Sequence, residues 1–276
     1  MRKIAAKTMR YFFHIAYQGQ HYNGWQKQPG AISVQEVIEK ALFKILKTNI
    51  PIVGCGRTDA HVHASQFFFH ADIETKFDFD LLYRLNKTLP QNIAIFDIIQ
   101  MDGLPHARFD AVQRKYDYFL HTYKDPFLAN QSSFYLETEF NLNNMKKAVD
   151  LLPKYKDYRA FCTQPNKYEH TICNVMEADL FVNAKADRIR FHIASNRFLS
   201  KMIRILMGKL IKIGQGELSL DEFENLLINL ETPKTLDPAH PTGLYLSKVT
   251  YPYLNLEPRT EFLTATQGTD WISVSV

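Results

Sequence analysis

The amino-acid sequence predicts an α+β fold of two domains. The chain has 276 residues, of which 46% are hydrophobic, so it can bury a sizeable core and is long for a single domain of ordinary size. Runs typical of strands and segments of helical period are mixed in both halves, and no internal repeat is legible. We expect an N-terminal domain of residues 1–105, a C-terminal domain of residues 106–255 and a less regular tail of residues 256–276.

The first half begins with a β-rich run from Tyr11 to Tyr17 and a polar loop from Gln18 to Gly30 that is punctuated by glycine. Ser33 then opens a helix. Ser33 and Glu36 have the spacing of a capping box, and the apolar residues after them recur at the helical period. Strands are predicted at residues 50–54, 65–70 and 93–99, with a short helix at residues 81–85.

The second half shows a similar order of elements. A strand is predicted at residues 115–123, a helix at residues 143–152 and two strands at residues 175–182 and 188–194. A long helix is predicted from Arg197 to Ile213, ended by Gly214, and a short helix begins at Ser219, again with a glutamate three residues later. A strand at residues 243–251 precedes the tail.

Charge and composition narrow the class of protein. The net charge is +4 and the sequence pI is about 8.8, which is compatible with nucleic-acid binding but does not demand it, since dedicated duplex binders often exceed a pI of ~9. No stretch approaches the roughly 20 apolar residues that cross a bilayer, and the basic residues 1–10 precede a strand-like run rather than a cleavable apolar core. Three scattered cysteines fit neither a disulfide framework nor a CxxC zinc site, so we expect a cytoplasmic enzyme with reduced thiols.

The segment Gly54 to Ala64 is the most unusual, because it holds two glycines, an arginine, an aspartate and two histidines between two apolar strands. Such a loop is suited to presenting a side chain. A carboxylate two residues from a cation, as Asp59 is from Arg57, favours its ionised form, which can act as a nucleophile or a base. Alternatively, Thr58 and Asp59 form only a hydrogen-bonded turn, and the residues alone leave both interpretations open.

His61 and His63 form an H-x-H pair in the same segment. On a strand the two rings would point the same way and could bind a metal ion, as in a metal-dependent hydrolase. No third ligand with useful spacing follows, whereas a site that generates hydroxide usually has three protein ligands. The metal site is therefore the weaker hypothesis, and we expect no metal.

The sequence GRTDAHVHA at residues 56–64 resembles the GRTDAGVHA signature of the TruA family of tRNA pseudouridine synthases. Seven further blocks agree with the family in the same order over nearly the whole chain. They are YQGQHYNGWQKQ at Tyr17, SVQEVIEKAL at Ser33, LNKTLPQNI at Leu85, HARFDA at His106, RKYDYFL at Arg114, NRFLSKMIRILMGKLIKIG at Asn196 and PTGLYL at Pro241.

The resemblance implies an enzyme that converts uridine to pseudouridine in the anticodon stem-loop of tRNA, at positions 38 to 40. The reaction breaks the bond from N1 to C1′, rotates the bound uracil and rejoins it through C5, with no cofactor. Asp59 takes the place of the required aspartate, which either attacks C1′ or removes a proton at C2′. The resemblance also implies a homodimer and a fold of two α+β domains. Their mixed, mainly antiparallel sheets lie side by side with helices on one face, and the active-site cleft lies between the domains.

The resemblance assigns further site residues. Tyr116 lies against the target base, Arg204 pairs with the catalytic carboxylate, and Leu244 lines the uracil pocket. Arg57 helps to extrude the target nucleotide and holds its phosphate, a flip that costs a few kcal/mol. From the residues alone, Tyr116 and Leu244 could equally be core positions on strands, although Tyr118 is the better candidate for a core tyrosine.

Basic residues are predicted to bind phosphates of the RNA and to make affinity sensitive to salt. By the helical period, Arg204 shares one stripe with Arg197, Lys201 and Lys212, which would ordinarily be a solvated face. Because the rest of that helix is apolar, Arg204 should need a carboxylate or phosphate partner. The predicted RNA-binding residues are Arg108, Arg114, Lys115, Arg197 and Lys201, with Arg10, Lys27, Arg84 and Lys87 as further rim positions, and each could equally be an ordinary surface charge.

One departure from the family pattern bears on function. The family glycine after the D-A pair is His61 here. Glycine serves where φ is positive or where the backbone approaches a ligand closely, and histidine tolerates positive φ less well. His61 could crowd the site or add a contact to RNA, so an RNA-binding protein with an altered target or without catalysis is the alternative to an active synthase.

Overall fold

The computed structural model describes residues 8–74, 77–136, 138–259 and 271–276. These residues form two compact units. The first contains the described residues up to Val112 together with residues 246–259, and the second contains Gln113–Tyr245 together with residues 271–276. The basic residues 1–7 and the greater part of the predicted tail, residues 260–270, lie outside the described residues.

The predicted helices and strands occur in the predicted order with shifted ends, and two short strands, β6 and β10, were not predicted. The described strands are β1 (Met9–Tyr17), β2 (Ile52–Gly54), β3 (His63–Ile73), β4 (Ile93–Gln100), β5 (Gln113–His121), β6 (Ser133–Phe134), β7 (Val175–Val182), β8 (Arg188–Ser195), β9 (Leu244–Thr250) and β10 (Ile272–Ser273). The described α-helices are α1 (Val34–Leu46), α2 (Leu81–Thr88), α3 (Leu142–Leu151), α4 (Met202–Gly214) and α5 (Leu220–Asn229). None of them is long and apolar enough to cross a membrane.

The sheet of the first unit is antiparallel. β1 lies between β3 and β4 and is antiparallel to both, and β2 pairs with the same strand β3. Both faces of β1 and β3 are buried over most of their length, which explains the apolar runs within them. Phe13 and Phe69, paired across these strands, stack with their ring centroids 4.5 Å apart.

The units differ from the predicted domains, which end at residues 105 and 255. The first unit continues to Val112, and the chain returns to it at Leu246. β9 is a neighbour of β3. The buried Gln66 side chain of β3 accepts a hydrogen bond from Val249 N at 2.9 Å and donates one to Leu256 O at 3.0 Å. These contacts join positions far apart in the chain, so local sequence patterns do not reveal them.

Helix α1 begins as its sequence predicts. Ser33 is the N-cap, and its side chain accepts a hydrogen bond from Glu36 N at 3.2 Å. The Glu36 carboxylate pairs with Lys40, 2.6 Å away. Lys47 adopts a left-handed conformation with φ of 57° and ends the helix. The buried face of α1 consists of Val34, Ile38, Ala41 and Leu42.

The second unit is also α+β with a mainly antiparallel sheet. β8 is antiparallel to β5 and β7, β10 is antiparallel to β7, and the short β6 is parallel to β5. Helix α3 packs against β7, α4 and α5. The capping box predicted at Ser219 is confirmed, because Ser219 and Glu222 exchange both bonds at the start of α5. The predicted α+β class therefore holds in each unit.

The long helix predicted from Arg197 is wrong at its start, because α4 begins only at Met202. Lys201 has a left-handed φ of 58° and precedes the helix, so Arg197 and Lys201 share no helical stripe with Arg204. The backbone groups of Ser200, just before the helix, form hydrogen bonds with residues outside it. Ser200 N donates to the Tyr168 hydroxyl at 3.0 Å, and Ser200 O accepts from Thr163 N at 3.3 Å.

Candidate active site

Asp59 lies in a loop of residues 55–62 that joins β2 to β3 in the first unit, called here the Asp59 loop. At its start, Cys55 is fully buried and its N–H donates to Phe68 O at 2.7 Å. At its end, Val62 N donates to Asp59 O at 3.2 Å. The backbone is thus tethered at both ends. Arg57 is exposed and Asp59 is half-buried.

A second loop, residues 18–25, supports the Asp59 loop by backbone hydrogen bonds on both sides of the aspartate. Trp25 N donates to Thr58 O at 3.2 Å, and His61 N donates to Tyr22 O at 3.1 Å. We call residues 18–25 the support loop. Because the residue before Asp59 and the second residue after it are both bonded to this loop, the aspartate backbone has little freedom to move.

Two glycines of the support loop allow this close approach. A Cβ on Gly24 would lie 2.4 Å from Thr58 O, and Gly24 has a φ of +83°. A Cβ on Gly19 would lie 1.9 Å from Val62 O. Real side chains do not tolerate such distances to backbone atoms. The polar loop therefore has glycine at these two positions because its backbone contacts the Asp59 loop there.

Thr58 and Asp59 do lie in a hydrogen-bonded turn, as one of the two interpretations of these residues predicts. The Thr58 hydroxyl is buried and lies 2.9 Å from the Tyr17 hydroxyl of β1, so it ties the loop to the sheet. The turn at Asp59 is closed by the main-chain carbonyl of Asp59, which accepts from Val62 N. Both interactions hold the Asp59 loop in place.

His61 adopts a left-handed conformation with a φ of 65°, at the position where the GRTDAGVHA signature has glycine. Its ring is exposed, and Nδ1 donates to Gln20 O at 2.7 Å. This bond fixes the proton on Nδ1, so Nε2 of the neutral ring is a hydrogen-bond acceptor. The backbone here has the positive φ that favours glycine, and the His61 side chain is held by a bond to the support loop.

The H-x-H pair does not lie on a strand as the metal hypothesis requires. His63 is the first residue of β3 and is buried, whereas His61 lies in the loop before it. The His63 Nδ1 atom accepts a hydrogen bond from Gly19 N at 3.3 Å. In the part of the chain that the structure describes, no group of three or more histidine, cysteine, aspartate or glutamate residues could hold a metal ion.

Tyr116 lies on β5 of the second unit, opposite Ile193 of β8. It is half-buried, and its ring contacts Phe198 edge to face with centroids 5.1 Å apart. Tyr118, two residues further, is 1% exposed, and its hydroxyl lies 2.8 Å from both Ser133 Oγ and His240 O. Burial raises the pKa of Tyr118 well above its usual value. Tyr118 is therefore the core tyrosine, and Tyr116 lies at the edge of the core.

Arg204 lies on α4 and holds the segment that leads to Leu244. Its Nε donates to Ala239 O at 2.8 Å, and Ala239 N donates to Arg204 O at 2.8 Å. One turn later, a Cβ on Gly208 would lie 2.1 Å from Asp237 O, so the segment lies directly on the helix. Leu244 is 5% exposed at the start of β9. The sequence predicted a carboxylate or phosphate partner for Arg204 and gave no signal for its bond to the backbone carbonyl of Ala239.

The predicted RNA-binding residues of the second unit differ in their surroundings. Lys115 Nζ lies 2.7 and 2.9 Å from the carboxylate oxygens of Glu177, which balances its charge. Arg114 Nη1 donates to Asn196 O at 3.3 Å. Arg197 is half-buried, with its Nη1 3.4 Å from His170 Nε2, and Lys201 is exposed.

In the first unit, Arg108 is exposed, and Arg10, a predicted rim position, is paired within the unit. The Arg10 guanidinium forms two 2.7 Å hydrogen bonds with the Asp72 carboxylate, and these bonds hold the pKa of Asp72 below its usual value. Arg10 also donates to two backbone carbonyls, so it is a structural residue. The structure thus groups Arg57, Asp59 and Arg108 in the first unit and Tyr116, Arg114, Lys115, Arg197, Lys201, Arg204 and Leu244 in the second.

Comparisons with known proteins agree with these motifs. A sequence model of the family described as tRNA pseudouridine synthase matches residues 155–252. The tRNA pseudouridine synthase A of Porphyromonas gingivalis is 36% identical over 248 residues, which cover 88% of this chain and 97% of the relative. That of Bacteroides fragilis is 36% identical over 89% of this chain and 97% of its own length. That of Wigglesworthia glossinidia brevipalpis is 34% identical over 95% of this chain and 97% of its own length.

A rigidly held aspartate loop on an α+β unit, together with these matches, defines an RNA pseudouridine synthase, which is an isomerase. The chain belongs to the tRNA pseudouridine synthase A family, as the ordered sequence blocks predicted.

Proposed function

We propose that this chain converts uridine to pseudouridine at positions 38 to 40 of the tRNA anticodon stem-loop, with Asp59 as the catalytic carboxylate. The observation that carries the proposal is the bracing of the Asp59 loop. Hydrogen bonds from Trp25 to Thr58 and from His61 to Tyr22 fix the backbone on both sides of the aspartate. Such rigidity is expected of a group that must meet a reacting carbon within a few tenths of an ångström.

The chemistry requires an ionised carboxylate. In one route the Asp59 carboxylate attacks C1′ while the bond from C1′ to N1 breaks and its electron pair stays on the uracil. In the other route, Asp59 removes a proton at C2′. In the second route the bond from C1′ to N1 breaks as the C2′ proton leaves. In both routes the uracil then rotates and C5 bonds to C1′. This step breaks the ester bond from Asp59 to C1′ in the first route, and in the second Asp59 returns the proton to C2′. The proton on C5 then leaves and N1 takes up a proton. The reaction is a balanced isomerisation and consumes no co-reactant.

Four other residues have proposed roles. Arg57, exposed two residues before Asp59, extrudes the target nucleotide and holds its phosphate. Tyr116 stacks on the target base, and its contact with Phe198 limits the orientations of its ring. Leu244 lines the uracil pocket. Arg204 is the charge partner of Asp59, and its bond to a backbone carbonyl limits the positions open to its guanidinium.

We further propose that a homodimer binds tRNA in the cytoplasm, and that phosphate contacts come from Arg108, Arg114, Lys115, Arg197 and Lys201. Such contacts release counterions, so affinity should fall steeply as salt rises. Lys115 should contribute least, because Glu177 already pairs with it.

A second candidate function rests on His61. An exposed imidazole in the family's glycine position, two residues from Asp59, adds bulk and hydrogen-bonding groups beside the catalytic carboxylate. The candidate is an RNA-binding protein of the same family whose target is altered or whose catalysis is lost. It predicts salt-sensitive tRNA binding without conversion of uridines 38 to 40.

Release of tritium from C5 of uridine in an anticodon stem-loop RNA tests both candidates. We expect release by the wild type, none by Asp59→Asn, and full release by the control Asp102→Asn, which changes an exposed aspartate of the same unit. Circular dichroism and thermal melting would establish that both variants are folded. No release by the wild type, or undiminished release by Asp59→Asn, would falsify the proposal, and binding without release would favour the second candidate.

A further inference from the structure

The segment of residues 104–110, called here the 104–110 turn, exposes two large apolar side chains. Phe109 is 75% exposed and Leu104 is 70% exposed, and Arg108 between them is also exposed. Single exposed apolar residues are ordinary on protein surfaces. The turn is unusual because hydrogen bonds hold the backbone of Phe109 in one position while its side chain is exposed.

Two side chains within the turn fix its backbone. The His106 Nδ1 atom accepts hydrogen bonds from Arg108 N at 3.1 Å and Phe109 N at 3.2 Å. In return, His106 N donates to the Asp110 carboxylate at 2.8 Å, and this bond lowers the pKa of Asp110. The main-chain N–H of Phe109 is therefore held in one position.

The sheet fixes the turn from the other side. Ala107 N donates to His70 Nδ1 at 3.1 Å, and the Tyr251 hydroxyl donates to Ala107 O at 2.5 Å. Arg10 donates to the carbonyls of Leu104 at 2.9 Å and of residue 105 at 3.0 Å. A rigid backbone that nevertheless displays an exposed phenylalanine differs from an ordinary surface turn, where a polar side chain would avoid the exposure.

The ring of Phe109 is also oriented. It stacks on the His106 ring with centroids 4.3 Å apart and an interplanar angle of 28°. The Arg108 guanidinium lies 5.7 Å from the Phe109 centroid. An aromatic plane that is held in place, mostly exposed and next to a cation has the chemistry of sites that stack an unpaired nucleobase and contact its phosphate.

The turn lies far along β3 from the catalytic loop. The Asp59 loop leads into β3 at His63, and the 104–110 turn contacts the same strand at His70. Seven residues of strand span roughly 23 Å. A base stacked on Phe109 would therefore belong to a different nucleotide from the one that reacts at Asp59. The contact should affect the affinity for RNA rather than the rate of the chemical step.

We propose that Phe109 is a stacking platform for an unpaired nucleobase of the tRNA substrate, with Arg108 beside it to contact a phosphate. This inference rests on the proposed function for the identity of the RNA. A second copy of the chain or another protein is the competing occupant. The cation beside the ring favours RNA, since a nucleotide offers both a ring to stack and an anion to neutralise.

The test measures tRNA affinity in the Asp59→Asn background, in which turnover does not interfere with binding. Phe109→Ala and Phe109→Leu should weaken binding by about 5- to 150-fold, because neither retains an aromatic face, whereas Phe109→Trp should retain it. The control Phe43→Ala, on the half-exposed face of α1 in the same unit, should leave affinity unchanged. In the active enzyme, Phe109→Ala should raise KM with little effect on kcat.

Unchanged affinity in Phe109→Ala, an affinity of Phe109→Leu equal to that of Phe109→Trp, or an equal loss in Phe43→Ala would overturn the inference. A change of sedimentation coefficient in Phe109→Ala would also overturn it, because the residue would then pack against another copy. If wild type binds tRNA through Phe109 but releases no tritium, the proposed function fails and the inference stands. If wild type releases tritium and Phe109→Ala binds normally, the inference alone fails.

Discussion

The carbonyl oxygen of Thr58 accepts a hydrogen bond from the backbone N–H of Trp25 at 3.2 Å. The residue immediately before Asp59 is therefore positioned by a loop from a distant part of the sequence. Gly24 allows this contact, because a Cβ there would lie 2.4 Å from the same Thr58 oxygen. Activity should therefore depend on the support loop as well as on Asp59 itself.

Gly24→Ala is expected to lower kcat by about 100-fold, because the added methyl must push the Asp59 loop away and a misplacement of about 1 Å costs that much. Gly30→Ala is the matched control. Gly30 also has a positive φ, +74°, but a Cβ there would meet nothing within 4 Å. Both variants carry a similar conformational cost, so kcat measured at saturating tRNA isolates the loop displacement. Equal rates for the two variants would contradict the support role.

The left-handed backbone at His61 predicts an unusual order of stability. His61→Gly relieves the strain of a φ of 65° but loses the bond to Gln20 O, whereas His61→Ala loses the bond and keeps the strain. The glycine variant should therefore exceed the alanine variant in free energy of unfolding by about 1 kcal/mol. Urea unfolding at one pH measures the difference. An alanine variant as stable as the glycine variant would show that the strain is absent in solution.

Buried histidines predict a loss of stability on acidification. Burial, with a smaller effect from Arg10, lowers the pKa of His70 to about 4. Between about 6.5 and 4 the unfolded chain binds a proton at His70 that the folded chain does not, so stability is full above pH 6.5 and falls as the pH drops to about 4. His14 and His121 have pKa values lowered by burial and act in the same direction.

The slope of unfolding free energy between pH 7 and 5 measures this effect. His70→Asn keeps an acceptor for Ala107 N but removes the titrating group, so its slope should be smaller than that of the wild type by up to ~1.4 kcal/mol per pH unit. Identical slopes would show that His70 does not titrate differently in the two states.

Replacing Arg204 by lysine should lower both stability and kcat, whereas replacing the more exposed Lys212 of the same helix should not lower kcat. Arg204→Lys removes the bond from Nε to Ala239 O, so we expect a loss of about 1 kcal/mol of stability and at least ~10-fold lower kcat. Lys212→Met on the same helix breaks the partly exposed pair with Asp237 and should cost at most ~1 kcal/mol with no loss of kcat. Thermal melting and tritium release measure both effects. Full activity in Arg204→Lys would remove it from the proposed site.

Local patterns in the sequence predicted the parts of the fold that depend on neighbouring residues. The Ser33 cap and the helical period after it located α1, and the compressed motif located the Asp59 loop. The glycine of the signature at the position of His61 left a positive φ and a close backbone approach open, and the structure has the positive φ. These features depend on residues within a few positions of one another, so the steric and capping preferences of those residues predict them.

The features that the sequence did not reveal depend on contacts between distant residues. The start of α4 is set by bonds from Ser200 to Tyr168 and Thr163, which override the helical period. The pairing of Arg10 with Asp72 was not predicted, because the two residues meet only through the register of β1 and β3. The support of Asp59 by Trp25 was missed for the same reason, although the glycines of that loop were its visible signal.

The most direct test of the central claim is a map of pseudouridines in tRNA from cells that lack this chain, read by carbodiimide treatment and sequencing. Pseudouridines at positions 38 to 40 should vanish, return with the wild-type chain and stay absent with an equally abundant Asp59→Asn chain. Persistence of these pseudouridines in the deleted cells, or their return with Asp59→Asn, would contradict the assignment of Asp59 as the catalytic carboxylate of a tRNA pseudouridine synthase.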